Sequence, residues 1–570
     1  TMLVRDGEDG PARPSGHPVF SARDLEVTTK AGAHLLDGVS ITVPAGTLVG
    51  VIGPSGAGKS TLLDALTGLR PATSGQVTWN GRDLYAEYAQ LRSLVGLVPQ
   101  EDILHRQLTV RRALQFAARL RLPPGTRRAD RDRRVEQVLR EVNLTDQADQ
   151  RIHALSGGQR KRTSIALELL TAPRLLFLDE PTSGLDPGLD RQVMESLRSL
   201  ADAGRVVLVA THSVLALDEC DRVLVLARGG RVAFFGPPAE VLPFFGLHDY
   251  PAVFAALDDE TWVQRCAPVA TTEGKDGRPA SVRVPVPAAT LPPPRRTAGV
   301  RQLWTLIRRY LCVVAADRLF VVLLVGMPLL LALMAQAFPG QAGLSLAEAQ
   351  GDVTQVQQRL VVLVVGAALM GTALSVREFI AERPIYRRER AVGLSPPSYL
   401  LSKVVVLGAL VACQCVVFTL LALLGLPGPD NALVLGHGLV EIAVAVAAVG
   451  VTISIAALAI SAAVTSAEQT MPALVAVVMA QLILCGGLFP LAGREGLEQV
   501  AWVLPARFGY AATAATVGLQ RPPAPQTDPL FDPSAGQWLT DLGLLGLQAA
   551  AFLVLAAWTL HRSVTRNPWR

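Results

Sequence analysis

The charge of this 570-residue chain is distributed so unevenly that its two halves must fold in different solvents. Residues 1–300 contain 36 Lys or Arg and 34 Asp or Glu, whereas residues 301–570 contain only 17 and 14. Soluble domains carry charge on about a quarter of their residues. The second half falls well below that share, so we expect it to lie mostly in lipid. A purely soluble enzyme and a disordered scaffold are both excluded.

Net charge and cysteine usage indicate no further class of partner. The chain carries a net charge of +5, shared almost evenly between its halves, so no strongly basic domain stands out and we expect no nucleic-acid partner. The six cysteines are scattered without zinc-site spacing, which predicts reduced or membrane-buried thiols. The first 20 residues have no apolar core, so we expect no signal peptide there.

Composition divides the chain into five segments. Short apolar runs alternate with longer helical patterns in the first globular part, which predicts an α/β domain with a largely parallel sheet. A Pro-rich segment without large apolar residues then separates this domain from the apolar half. The predicted segments are a disordered tail at 1–18, the α/β domain at 19–267, a linker at 268–297, an amphipathic connecting helix at 298–316 and a membrane domain at 317–570.

The connecting helix is predicted from apolar residues at helical spacing, among them Val300, Trp304, Ile307 and Leu311. Its arginines fall at other positions. Two interpretations stay open at this point. The helix either packs against its own protein or lies in the lipid headgroup layer.

The membrane domain contains six segments with the length and apolarity to cross a hydrocarbon core about 30 Å thick. The predicted spans lie near 319–338, 360–376, 402–424, 437–460, 470–490 and 542–560. Arginines follow the second span and the last one, whereas the loops at 339–358 and 425–436 contain neither Lys nor Arg. This asymmetry predicts cytoplasmic termini in a plasma-membrane protein. An interrupted apolar stretch at 497–518 predicts short re-entrant or interfacial helices.

A phosphate-binding loop follows the first buried apolar run, Leu48 to Ile52. The segment Gly53-Pro54-Ser55-Gly56-Ala57-Gly58-Lys59-Ser60 fits G-x-x-x-x-G-K-[ST] and opens a helical pattern. Its glycines let backbone N–H groups surround phosphates, Lys59 reaches the β and γ phosphates, and the Ser60 hydroxyl is offered to Mg²⁺.

A second apolar run, Leu175 to Leu178, ends in Asp179 and Glu180. Adjacent acids at a strand end are usually a solvated turn, but the upstream phosphate-binding loop favours a metal site. We expect Asp179 to hold Mg²⁺ and Glu180 to be the general base for attack on the γ-phosphate.

Several motifs together resemble the ATP-binding cassette (ABC) nucleotide-binding domain. They are the phosphate-binding loop, the Asp179–Glu180 pair, Gln100, Leu155-Ser156-Gly157-Gly158-Gln159, Asp186 in Ser183-Gly184-Leu185-Asp186, and His212. The resemblance covers about residues 19–250 and implies a RecA-like core with a helical subdomain. It also implies a dimer in which each ATP lies between the phosphate-binding loop of one subunit and the Ser156–Gln159 signature of the other.

The resemblance also implies the roles of individual residues. Gln100 senses Mg²⁺ and the attacking water, and His212 contacts the γ-phosphate as the hydrolytic switch. The implied nucleotide-binding set is Gly53, Ser55, Gly56, Gly58, Lys59, Ser60, Thr61, Ser156, Gly157, Gly158, Gln159 and Asp186. The implied metal set is Ser60, Gln100 and Asp179. The aromatic residue that often stacks on adenine in this family is missing near Val27.

The order of domains resembles the G subfamily (White type) of ABC exporters and its bacterial relatives with an ABC-2-type permease. Arg377-Glu378-Phe379 and Tyr386-Arg387-Arg388-Glu389-Arg390 resemble that family's coupling region, predicted as a helical pair that docks on the nucleotide domain. The alternative is that these arginines only set topology. One copy of each motif in the chain predicts a half-transporter, either a homodimer or a heterodimer.

Polar and aromatic residues within the spans suggest further sites. Glu441, four residues after His437, either lines an exit path, carries a proton or forms an interhelical hydrogen bond. Gln414, Gln481, Thr372 and Ser375 are predicted to bond between helices, and Phe418 and Phe489 are candidates for an aromatic clamp, with ordinary packing as the alternative.

The sequence thus predicts an ATP- and Mg²⁺-dependent exporter of a hydrophobic or amphipathic, lipid-like substrate. A membrane-anchored regulatory or mechanical ATPase that transports nothing is the alternative. Cys485 is the only cysteine near the outer segment, so packing is expected to stabilise that region.

Overall fold

The computed structural model describes residues 19–29, 31–123, 125–258, 299–338, 340–349, 353–519 and 528–565. The chain divides into two compact units between residues 296 and 297. The predicted tail at 1–18 and the linker at 268–297 lie outside the described residues.

The first unit contains two sheets. A six-stranded sheet has the order β10-β9-β3-β8-β7-β6, and a four-stranded antiparallel sheet has the order β2-β1-β4-β5. Pairs among β3, β6, β7, β8 and β9 are parallel, and only β10 is antiparallel in the larger sheet. The strands are β1 Val19–Thr28, β2 His34–Pro44, β3 Leu48–Ile52, β4 Ser74–Trp79, β5 Arg82–Asp83, β6 Val95–Val98, β7 Leu175–Asp179, β8 Val206–Ala210, β9 Arg222–Leu226 and β10 Val232–Gly236.

Helices surround these sheets. The described helices of the first unit are α1 Lys59–Thr67, α2 Tyr88–Leu91, α3 Val110–Arg121, α4 Arg128–Glu141, α5 Gly157–Leu169, α6 Pro187–Asp202, α7 Pro238–Phe245 and α8 Tyr250–Asp258. The two apolar runs noted in the sequence are β3 and β7, and every residue of β3 and of the neighbouring strand β8 is buried. Parallel strands are covered on both faces, which is why they are continuously apolar. The predicted α/β fold is confirmed.

The larger sheet places the site. Strands β3, β8 and β7 are neighbours and parallel, so their carboxyl ends meet at one edge. The phosphate-binding loop follows β3, Asp179 ends β7, and His212 lies two residues beyond β8. Ligands of open α/β sheets bind at this edge.

The second unit contains helices and loops, with no strand among its described residues. Its helices are α9 Gly299–Ala316, α10 Arg318–Gln336, α11 Val353–Ser375, α12 Glu378–Val392, α13 Pro396–Ala422, α14 Gly438–Ala463, α15 Thr470–Ile483, α16 Leu497–Ala501, α17 Pro505–Val517 and α18 Ala535–Thr565. Within the described residues, five helices are long and apolar enough to cross a membrane; these contain α10, α11, α13, α14 and α18.

The segment predicted as a span at 470–490 forms a shorter helix than expected. Helix α15 has only 14 residues and follows a 3₁₀ turn at Ala467–Gln469. It ends at Ile483 shortly before Gly486, whose φ of +90° belongs to the left-handed region and cannot continue a helix. At 1.5 Å per residue, 14 residues span about 21 Å, less than the hydrocarbon core.

Of two other predicted segments, one forms the short helices expected and the other differs. The stretch at 497–518 forms two short helices as predicted, α16 and α17, and all 13 residues of α17 are buried. The region between the second and third spans, predicted as a helical pair, is instead the single helix α12.

The connecting helix α9 has one buried apolar face and some exposed apolar residues. Leu306, Ile307 and Tyr310 are buried, while Val300 and Trp304 are more than half exposed. One face therefore packs within the second unit, and the placement of the exposed residues in the headgroup layer stays a prediction.

Candidate nucleotide-binding site

The phosphate-binding loop joins β3 to α1 in a conformation that requires glycine. Gly53 and Gly58 have φ angles of +154° and +94°. A Cβ on Gly53 would collide with the Leu226 carbonyl oxygen, and one on Gly58 would lie 2.5 Å from the Leu35 carbonyl oxygen. The backbone of the loop thus comes close to neighbouring strands and can turn its N–H groups inward.

Lys59 is held inside this loop. Its Nζ donates to the carbonyl oxygens of Gly53 at 2.8 Å and Pro54 at 3.0 Å. Burial lowers the pKa of Lys59, and the nearby charges of Glu180 and Asp179 oppose that shift. The ammonium is therefore confined to the position where a P-loop lysine meets phosphate oxygens.

Ser60 and Asp179 lie together, as a Mg²⁺ site requires. The Ser60 hydroxyl lies beside the Asp179 carboxylate, which ends β7. Burial raises the pKa of Asp179 and outweighs the lowering effects of the Ser60 hydroxyl and of Lys161 and Lys59. Hard oxygen donors from one carboxylate and one hydroxyl fit Mg²⁺, which takes its remaining ligands from phosphates and water. The described residues contain no cluster of three His, Cys, Asp or Glu side chains that could hold a metal on their own.

Glu180 is the point at which the three predicted catalytic residues meet. Its Oε2 accepts a hydrogen bond from Gln100 Nε2 at 2.8 Å, and its Oε1 lies 2.7 Å from His212 Nε2. The backbone of Glu180 has a φ of +45°, a region that costs energy for a residue with a side chain. Its N–H donates to the Ala210 carbonyl at 2.8 Å, which holds the turn against β8. This strained backbone conformation directs the Glu180 carboxylate away from the end of β7.

The Ser156–Gln159 signature forms the N-terminus of α5. Ser156 Oγ accepts from the Gln159 N–H at 3.3 Å, and Gln159 Oε1 accepts from the Ser156 N–H at 3.0 Å, a reciprocal capping box. Within the described residues, no hydrogen bond joins this segment to Lys59 or Glu180. The free N–H groups of a 13-residue helix start remain suited to an anion.

Asp186 and the remaining loop residues take local positions. Asp186 caps α6, accepting from the N–H groups of Gly188 at 3.1 Å and Leu189 at 3.0 Å. Ser55 and Gly56 are exposed in the phosphate-binding loop, and Thr61 is half-buried in the first turn of α1. Their predicted contacts with nucleotide remain predictions.

Val27, where the missing aromatic was expected, is buried in β1 opposite Leu36. The position belongs to the sheet core and presents no ring to a base.

Two supporting residues were not predicted from the sequence. Lys161, 6 % exposed, donates from Nζ to the carbonyl oxygens of Pro99 at 3.1 Å and Gln100 at 2.6 Å. It therefore ties the signature helix to the loop that carries Gln100. On the other side, the Ser213 hydroxyl donates to the buried carboxylate of Asp190, which anchors the His212 segment to α6. A buried lysine has no signature of its own in a single sequence.

The polar residues predicted within the spans mostly bond between helices. Gln414 Nε2 donates to the Leu324 carbonyl at 2.6 Å, and Gln481 Oε1 accepts from the Ala506 N–H at 2.9 Å. The hydroxyls of Ser375 and Ser454 lie 2.6 Å apart across α11 and α14. Thr372 was predicted to do the same, but its hydroxyl donates to Ala368 of its own helix at 2.7 Å. The prediction for Thr372 was wrong, because a helical threonine easily reaches the carbonyl four residues earlier.

The two candidate clamp residues differ in exposure. Phe418 is fully buried, and a Cβ on Gly366 would lie 2.6 Å from its ring, so it packs in the helix bundle. Phe489 is half-buried and lies against the guanidinium of Arg494, 5.2 Å from its ring centroid.

Comparisons with known proteins match each half of the chain to a transporter family. Residues 36–183 match the ABC transporter family, and residues 301–517 match the ABC-2 type transporter family. The ABC transporter ATP-binding/permease protein Rv1747 of Mycobacterium tuberculosis is 46% identical over 95% of this chain and 63% of its own length. ABC transporter G family member 22 of Arabidopsis thaliana is 38% identical over 43% of this chain and 35% of its own length.

A third relative, the broad substrate specificity ATP-binding cassette transporter ABCG2 of Bos taurus, is 39% identical over 34% of this chain and 31% of its own length. The chain therefore spans less than two thirds of the length of each of these relatives. An ATP-binding cassette with an assembled Glu180 site, followed in the same chain by an ABC-2-type membrane domain, shows that this protein belongs to the ABC transporter family.

Proposed function

We propose that the protein is an ATP-hydrolysing half-transporter that works as a dimer and exports a hydrophobic or amphipathic substrate. The observation that carries this proposal is the Glu180 carboxylate, held between Gln100 and His212 beside the Ser60–Asp179 pair. The names of its relatives, an ATP-binding/permease protein and G-family transporters, support the same activity.

The proposed hydrolysis follows from the chain's own groups. Glu180 accepts a proton from the attacking water, which forms the new P–O bond as the bond between the β and γ phosphates breaks. Gln100 and His212 hold one oxygen each of the carboxylate and so orient it. Mg²⁺, held by Ser60 and Asp179, would neutralise the charge on the phosphates.

Dimerisation is supported by the position of the signature. Ser156–Gln159 caps its own helix and makes no hydrogen bond to the phosphate-binding loop within the described part of the chain. A second copy would supply this helix N-terminus to the phosphate of its partner's nucleotide. Homodimer and heterodimer satisfy this geometry equally. We place both termini and the nucleotide domain in the cytoplasm, because the basic loops lie on that side.

The substrate class rests on the membrane unit. Polar side chains within it, such as Gln414 and Gln481, donate or accept hydrogen bonds at neighbouring helices, which leaves apolar surface for cargo. An amphipathic or lipid-like molecule is the cargo that such surface favours.

A Glu180→Gln variant tests the proposal in lipid vesicles. We expect it to keep ATP binding but to lose ATP hydrolysis by about 10²-fold or more, together with transport, since general-base catalysis contributes about that factor. Glu195→Gln, on the exposed face of α6, is the matched control and should behave as wild type. If every candidate amphipathic cargo leaves the ATPase rate of the wild-type protein unchanged and none crosses the membrane, the protein is the regulatory or mechanical ATPase instead.

A further inference from the structure

Helix α12, Glu378–Val392, separates its charges onto opposite faces. Glu378, Glu382 and Glu389 follow one another at intervals of four and seven residues, so they share one face. Arg383, Arg387 and Arg390 follow at intervals of four and three residues and share the opposite face.

The acidic face is neutralised inside the second unit. Lys403 Nζ lies 2.9 Å from a carboxylate oxygen of both Glu378 and Glu382. Arg309 binds Glu389 with two nitrogens, one of them at 3.0 Å. The three acids therefore have cationic partners already.

The basic face has no such compensation among the described residues. Arg383 donates to the carbonyl oxygens of Ala462 and Val464 at the end of α14, and Arg390 donates to the Leu394 carbonyl at 3.0 Å. Arg387 is exposed, and its positive charge acts on Arg383. Among the described residues of the second unit, no carboxylate forms an ion pair with any of the three guanidinium groups. Two neighbouring like charges without a counter-charge would be stabilised by a bound anion.

A small cleft lies between Arg383 and Arg387. It is lined also by Tyr386, Phe379 and Leu560, and its volume is about 10 Å³, room for one water-sized group. The Tyr386 hydroxyl is buried and has no hydrogen-bond partner within the described part of the chain. A buried hydroxyl without a partner costs about 1–3 kcal/mol, so an oxygen atom entering the cleft would relieve a penalty.

The position of the cleft on the membrane helices predicts that it lies at the depth of lipid headgroups. It forms where α14 and α18 end and α13 begins, at one end of three membrane-crossing helices. On α18, two residues from Leu560, Trp558 is about half exposed and Arg562 lies over its ring at 3.7 Å. An exposed tryptophan beside an arginine marks the membrane–water interface.

We propose that Arg383, Arg387 and the Tyr386 hydroxyl bind the phosphate of an anionic phospholipid headgroup in the leaflet on this side. One phosphate oxygen enters the cleft and accepts from Tyr386, and the two guanidinium groups hold the others at its mouth. Basic pockets at the ends of membrane helices bind such headgroups in general. The site does not depend on the proposed transport, because lipid retention is measured without ATP.

Native mass spectrometry of the full chain, loaded from vesicles that contain equal parts of phosphatidylglycerol and phosphatidylcholine, tests the site. We expect the wild-type protein to retain phosphatidylglycerol preferentially. Arg387→Gln should weaken retention about fivefold, the effect of about one cation near an anionic surface. Arg387 is exposed, so its replacement should leave the fold intact, and the comparison does not require a change at Arg383. Arg494→Gln removes the same charge from an exposed position elsewhere and should change nothing.

Tyr386→Phe provides a second, minimal variant. It removes an unpartnered hydroxyl, so it should leave thermal stability unchanged or higher while still lowering phosphatidylglycerol retention. Equal retention in the wild type and in both variants would overturn the proposal. So would binding of inorganic phosphate in lipid-free micelles without any preference for phosphatidylglycerol, since the site would then take a free anion. If Arg387→Gln instead changes ATPase activity equally in neutral and anionic vesicles and leaves lipid retention intact, the basic face contacts protein and the lipid site is wrong.

Discussion

Glu441 offers the sharpest test of how the second unit is held together. The carboxylate is fully buried in the first turn of α14, and its Oε1 accepts from the backbone N–H groups of Leu433 at 2.8 Å, Val434 at 2.6 Å and Leu435 at 2.9 Å. Its Oε2 accepts from the Thr516 hydroxyl at 3.3 Å. The side chain thus ties a loop, α14 and α17 together, and it also lies at the favourable positive end of the α14 dipole.

The expected cost follows from these contacts. Glu441→Ala leaves three N–H groups without their acceptor, and since Val434 and Leu435 are exposed, water replaces part of the loss. At about 1 kcal/mol per bond, the free energy of unfolding falls by about 3 kcal/mol. Glu441→Gln keeps an acceptor but loses the charge, so we expect about 1 kcal/mol. In a unit of this size, each kcal/mol lowers Tm by about 2–4 °C.

Thermal unfolding followed by tryptophan fluorescence, in vesicles, measures both losses. Glu468→Gln, at an exposed position, is the matched control and should leave Tm unchanged. A structural role predicts that ATPase activity of the Gln variant keeps the pH dependence of the wild type. If Glu441→Ala and Glu441→Gln both leave Tm unchanged, the structural interpretation is wrong. If the Gln variant abolishes a proton dependence of transport, the proton-carrying interpretation is favoured instead.

Two further predictions concern the nucleotide unit. Lys161→Met removes two charge-assisted hydrogen bonds that hold the Gln100 loop, so ATP hydrolysis should fall by about tenfold or more with little change in KM for ATP. Lys161→Arg should recover part of the rate. An unaltered rate in Lys161→Met would show that Gln100 needs no such support. Burial raises the pKa of Asp64 from 3.8 to about 6, and the charge of Asp179 adds to the shift. Ionisation of Asp64 therefore destabilises the fold above pH 6, and this penalty disappears below pH 4. Asp64→Asn should therefore raise the stability of the nucleotide-free protein by about 3 kcal/mol at pH 7.5 and by almost nothing at pH 4, as followed by urea unfolding; an equal gain at both pH values would refute the titration argument.

The local motifs were predictable because each is contiguous. The phosphate-binding loop needs only eight successive residues to position Lys59, and the capping box of Ser156 and Gln159 is complete within four. Such elements form from short-range hydrogen bonds, so spacing along the chain is nearly sufficient to predict them.

Other parts depended on distant segments. Thr372 and Ser375 are both buried hydroxyl residues on α11, yet of these two hydroxyls only that of Ser375 hydrogen-bonds another helix, because it lies beside Ser454. The predicted span at 470–490 stops early at a left-handed glycine, and the coupling region is one helix whose acids have partners on two other helices. Hydropathy is averaged over many residues, so it does not detect a single glycine that ends a helix or the partners of individual acids.

The sequence by itself determined the two solvents, the order of the domains and the identity of the nucleotide motifs, because composition and short-range spacing carry that information. Only the tertiary structure brought Gln100 and His212 to the same carboxylate, 80 residues and 32 residues away along the chain, and buried Lys161 beneath the Gln100 loop. Strand order decides this, since β6, β7 and β8, which precede Gln100, Glu180 and His212, become neighbours through pairing that no local pattern records. The charge separation on α12 likewise became a candidate lipid site only once the fold had neutralised one face and left the other without a counter-charge.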